Sequence, residues 1–319
     1  MMKATLGMNY RMLSSNLESM SNKMFDLREQ SATGKKMNKP SDDPGSIKPV
    51  LSYKDKLAST ERYVEHIGVA RGEMNVLDSN LDQVENIMVA AKEAGIAVVN
   101  GSLNEQDRQT YADKVGQLFD EMMQMANTQN NGKYLYSGYQ EATAPFSENA
   151  AYSAAAYDSD DSSTWAVNYH GDGNAKQVEI GPEKQIQTAV TGNELFLGDA
   201  DNDGEVDAGG TDLFSTLKNL ENAIRSNDSG AMQDGLDELE RGADQVRRVR
   251  GRMGNNAARI ERANQYMTDA SLEFQEVISG YEDANVLEVF SEMLQHETAF
   301  KAALNVTTRV SNLSILNYM

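Results

Sequence analysis

Leu6, Tyr10, Leu13, Leu17, Met20, Met24 and Leu27 follow one another at alternating steps of four and three. That spacing places them on one stripe of an α-helix and predicts a seam for a second helix. The stripe ends at Gly34. Pro40 and Pro44 then forbid continuation, because each lacks an N–H and pushes its predecessor out of the α region. Ser41 and Asp42 read as the opening of the next helix. That helix carries Tyr63, Ile67, Ala70, Met74, Leu77, Leu81, Val84, Met88, Ala91, Gly95 and Val98 in the same unbroken rhythm. Gly101 breaks it, and Asn104 caps a third helix in which Tyr111, Val115, Leu118, Met122 and Met125 continue the seam.

After residue 132 the period changes to two. Trp165, Val167 and Tyr169 alternate, "HGDGNA" supplies turn residues, and Val178 and Ile180 alternate again, so 165–180 predicts a β-hairpin. Helical spacing returns over 213–224. It then runs from Met232 through Leu236, Leu239, Ala243, Val246, Met253, Ile260 and Ile278 to Tyr281. Past "SGYEDAN" a last amphipathic stretch carries Val286, Val289, Phe290, Met293, Phe300, Leu304, Val310 and Leu313. The fold expected is mainly α, with long helices in a terminal coiled coil and a helical bundle, and with a small β-rich insertion. Its parts are 1–42 with 280–319, 43–140 with 211–279, and 141–210.

Net charge changes the functional picture. At −20 the chain lacks the basic footprint that nucleic acid or anionic lipid requires, and its one basic cluster, Arg247, Arg248, Arg250 and Arg252, reads as a solvated helix face. There is no cysteine, hence no disulfide or thiol chemistry. Neither a signal-peptide h-region nor an apolar run of membrane-spanning length is present. Gly34-Lys35 lacks the upstream glycine, the preceding strand and the following Ser or Thr of a phosphate loop. His66, His170 and His296 are scattered, and no serine sits in a nucleophile elbow. An enzyme is not expected.

One stretch carries ligand chemistry. In "DADNDGEVDAGG", Asp199, Asp201 and Asp203 occupy positions 1, 3 and 5 of a calcium loop, Gly204 the turn, Glu205 the carbonyl position and Asp207 position 9. Gly210 stands where the bidentate Glu belongs, so a weak calcium site or an acidic turn are both open, and Asp212 or water would have to complete the shell.

The terminal seam followed by "TGKKMNKPSDDP", the junction "ANTQNNGKYLYSGYQEATAPF", the stretch "VNYHGDGNAKQVEI" and the closing "LSILNYM" resemble the flagellin-like hook–filament junction proteins of bacterial flagella, the FlgL family. The likeness covers essentially the whole chain. It implies an inner domain of paired terminal helices, a helical middle domain and an outer β-rich insertion. It also implies a structural adaptor, exported to the extracellular flagellum without a cleaved signal peptide. The partners implied are copies of itself in a ring or helical layer, a second hook-associated junction protein, flagellin and an export chaperone. No cofactor is required, and the calcium loop departs from the family pattern. A filament subunit is the nearer alternative, but flagellins carry a Ser-Gly-x-Arg-Ile-Asn connector and a Leu-Leu-Arg tail where this chain has "NKPSDDP" and "NYM". An intracellular helical scaffold is the distant one.

Overall fold

A computed structural model of the protein describes residues 6–101 and 103–316. Among these the chain forms α1 (Leu6–Thr33), α2 (Ile47–Asn100), α3 (Glu105–Ala126), α4 (Leu213–Ser226), α5 (Ser229–Glu282) and α6 (Val286–Leu316). Between α3 and α4 run the strands β1 (Gln129–Asn130), β2 (Lys133–Tyr134), β3 (Phe146–Glu148), β4 (Val167–Tyr169), β5 (Gln177–Gly181) and β6 (Lys184–Gln187). The architecture is mainly α with a small β-rich part, as the periodicity predicts. Two compact units result, one from 1–60 with 269–319 and the other from 61–268, and their division falls inside α2 and α5.

In the larger unit α2 and α5 are antiparallel. Arg71, Asp78, Glu85 and Lys92 along α2 meet Glu261, Arg250, Arg247 and Glu240 in descending order along α5. The α2 stripe from Ile67 to Val98 is buried together with Leu239, Ala243, Val246, Met253 and Ile260 of α5. Gly95 leaves room for Leu236 of α5, whose Cδ2 would lie 2.7 Å from a Cβ at that position. Asn104 caps α3 by accepting the Asp107 amide at 2.8 Å. Asn80 on α2 donates to Thr128 Oγ1 at 3.0 Å and accepts the Tyr136 hydroxyl at 2.5 Å, so a buried amide fixes the end of α3 against α2.

The β-rich stretch joins this core from inside. Phe146, Phe196 and Phe214 lie with ring centroids 5.3–5.6 Å apart, and Tyr136 meets Phe196 edge-on. The strand pairing differs from the hairpin expected over 165–180. Instead β4 pairs antiparallel with β3, and β5 with β6. Asp172 accounts for the difference: its carboxylate accepts the Tyr139 and Asn174 amides and its own amide donates to Ser137 O, which ties 170–174 to the preceding turn. The tight turn forms instead at Pro182-Glu183, with Glu183 at φ 57°.

The start of α2 also differs from expectation. Asp42 holds the connector by accepting the Asn38 and Lys39 amides at 2.9 and 2.8 Å. Its neighbour Asp43 accepts the Gly45 and Ser46 amides instead, and the helix begins at Ile47. Pro49 lies within its first turn, where a missing N–H costs nothing.

Candidate assembly surface and acidic loop

In the smaller unit α1 and α6 pack along each other. Of the expected seam, Met24 and Leu27 on α1 and Val289 on α6 are buried, while Leu13, Leu17, Met20, Met293 and Phe300 are half-buried. Tyr10 is 56% exposed and Leu304 49%. The side chains of Leu6, Val310 and Leu313 lie outside the described residues. The contact stripe of α6 steps by four and three through Val289, Met293, His296, Phe300, Ala303 and Thr307. Sequence reading missed His296, Ala303 and Thr307 by following the large apolar residues; the regular step was the signal that would have found them.

Outside the seam, both helices leave large apolar side chains in solvent. Met8, Met12 and Phe25 on α1, and Leu287, Phe290, Leu294 and Val306 on α6, are exposed, Leu287 at 83%. Isolated exposed leucines are ordinary, but a helix pair that is apolar on its seam and again outside marks a surface for association. Among the described residues no helix is long and apolar enough to cross a membrane.

The acidic loop brings together Asp199, Asp201 and Asp203, each offering a carboxylate oxygen within 4.8 Å of the others. Asp199 is buried and accepts the amides of Asp203 at 3.1 Å and Gly204 at 3.0 Å, so the loop is wound around it. Burial pushes the Asp199 carboxyl up, and the amides of Gly204, Asp203 and Asn202 oppose that. The Glu205 and Asp207 side chains are not part of the cluster. Asp207 Oδ2 accepts the Ala200 amide at 2.7 Å, closing the loop's ends. Asp212 does not complete a shell either, since it is buried as the N-cap of α4.

The arginine cluster lies on a solvated helix face, as expected, and is also paired there. Arg250 meets Asp78, Asp82 and Glu85, Arg247 meets Glu85, Arg252 meets Glu194, and Arg248 donates to Gly209 O. Bonds to Asp78 raise the Arg250 guanidinium further above its usual range. The acids at 78, 82 and 85 lie on one face of α2 and match the arginines of α5, a complementarity that a reading of each helix by itself cannot see.

The N-terminal helical region of bacterial flagellin matches residues 5–141 of the chain. Over 301 residues, 90% of each chain, the sequence is 26% identical to flagellar hook-associated protein 3 of Escherichia coli (strain K12). It is 23% identical over 329 residues, 98% of each chain, to the protein of the same name from Salmonella typhimurium. The fold is shared with flagellar hook-associated protein-3 from Legionella pneumophila, with a TM-score of 0.60 and 15% identity over 72% of this chain and 98% of that one.

Proposed function

From its likeness to the flagellar hook-associated proteins, we propose that this chain belongs with them and joins the flagellar hook to its filament as one layer of identical copies. The observation that carries this reading is the set of large apolar side chains that the outer face of the α1–α6 pair leaves exposed beyond its seam. Covering one Leu or Phe side chain contributes roughly 1.5–3 kcal/mol. Several such residues on two long helices therefore favour association over solvent. Copies of the chain cover part of that face, a second hook-associated junction protein adjoins the layer on one side, and flagellin on the other. The role is structural, with no catalytic residue. The chain reaches the outside of the cell without a cleaved signal peptide, escorted by an export chaperone beforehand. Asp199, Asp201 and Asp203, without Asp207, form a weak calcium site.

Leu17→Asp and Phe300→Asp in the seam and Leu287→Asp on the outer face test the reading. Each puts a charge where apolar contact is needed, without touching the core of the larger unit. The expected outcome is a folded, secreted chain, intact hooks, and flagellin shed into the medium instead of held as filaments. Normal filaments in all three variants would overturn it. Labelling of the chain along the whole filament would favour a filament subunit instead.

A further inference from the structure

Burial in the smaller unit is concentrated where its segments change direction. Leu27 near the end of α1, Met37 in the connector, Val50 at the start of α2, Ile278 and Glu282 at the end of α5 and Val289 at the start of α6 are all buried. The backbone is stitched at the same place. The Ala284 amide donates to Gly34 O at 2.8 Å, the Lys36 amide to Glu282 O at 2.7 Å, and Lys36 Nζ to Gly280 O at 2.9 Å. Lys35 and Asp283 form an antiparallel bridge.

Glu282 is the charged member of this group, its side chain 5% exposed. One carboxylate oxygen receives Lys35 Nζ from the connector at 2.7 Å, and the other receives Lys54 Nζ from α2. Both lysine side chains remain 45% exposed. A buried carboxylate without partners would be strongly unfavourable, and an apolar side chain would fill the place without any dependence on ionisation. The ion triad therefore adds a condition that packing alone does not impose.

We propose that Lys35, Glu282 and Lys54 form a latch that holds the connector on the ends of α2 and α5, and that α1 and α6 lose their seat together when Glu282 is neutralised. The groups facing Glu282 are Lys35 from the connector and Lys54 from α2, with Asp283 on its own segment acting on Lys35. Burial works against the Glu282 charge, but the bonds from Lys35 and Lys54 outweigh it and hold the carboxyl below the usual range. A carboxyl depressed in the folded state contributes stability above its unfolded pKa and loses it as pH falls through the folded one. The latch is closed at neutral pH and opens in acid.

Amide hydrogen exchange on the full chain, expressed as protection factors, tests this. At neutral pH, Glu282→Gln should lower protection at Lys36 and Ala284, and through α1 and α6, by at least about tenfold, with α4 unchanged. The parent should show the same pattern near about pH 3. A triple variant, Lys35→Met with Glu282→Leu and Lys54→Met, should keep the protection and lose the acid response. Unchanged protection in Glu282→Gln, equal loss in α4, or an acid response surviving in the triple variant would each overturn the proposal.

Discussion

Asp212 Oδ1 accepts the amides of Phe214 and Ser215 and caps α4, while Oδ2 is buried without a partner. Burial pushes this carboxyl up to about 6, against the bonds from Ser215 and Phe214. The folded chain then holds a proton that the unfolded chain has already released. Stability therefore falls as pH rises from the ordinary aspartate range to about 6, and levels off above; a shift of this size corresponds to about 3 kcal/mol. Asp212→Asn keeps the capping oxygen and removes the charge. Its melting temperature should exceed the parent's at pH 7, and the gap should close near about pH 4. A gap independent of pH would refute this. At the acidic loop, calorimetric titration should give half-saturation in the range of about 10⁻⁴ to 10⁻³ M calcium, abolished by Asp199→Ala with Asp203→Ala. No heat in the parent at several millimolar calcium would leave the loop an acidic turn. The spacing of these acids is readable in the sequence because they lie within one short loop. The Lys35–Glu282–Lys54 latch is not, because its charges are brought together only by the fold.

Long helices were legible because their burial follows one rule from end to end. On α2 every step from Ile67 to Val98 that the spacing selects is buried, and Gly101 and Asn104 mark the break and the restart. Short strands obey no such rule. β4 spans only Val167–Tyr169, and the alternation that identifies it says nothing of its partner. The choice of β3 is made by Asp172 and by backbone bonds such as His170 N–H to Pro145 O at 2.8 Å. Helix starts fall between these cases. Either Asp42 or Asp43 could open α2 by residue type, and the two prolines decide by forcing a turn that Asp42 must stabilise. At the acidic loop the sequence carried the Asp triad, but not the fact that Asp207 and Asp212 are bound to backbone amides of their own.

The two compact units are made differently from the chain. The larger is one continuous stretch, 61–268, whereas the smaller is assembled from 1–60 and 269–319. The stretch 61–268 alone should therefore melt as a cooperative helical protein. The two outer pieces should each be weakly helical alone and gain helix on mixing, because isolated amphipathic helices need burial to persist. Circular dichroism of the mixture equal to the sum of the parts would contradict this. Lys35 meets a partner 247 positions later in the chain. A subunit cut short anywhere between the end of α1 and Glu282 would carry an intact α1 with no seat and no α6 beside it, whatever the state of its larger unit. The closing bond of the smaller unit thus reports completeness, and length itself becomes a criterion that a defective copy fails before any neighbour meets it.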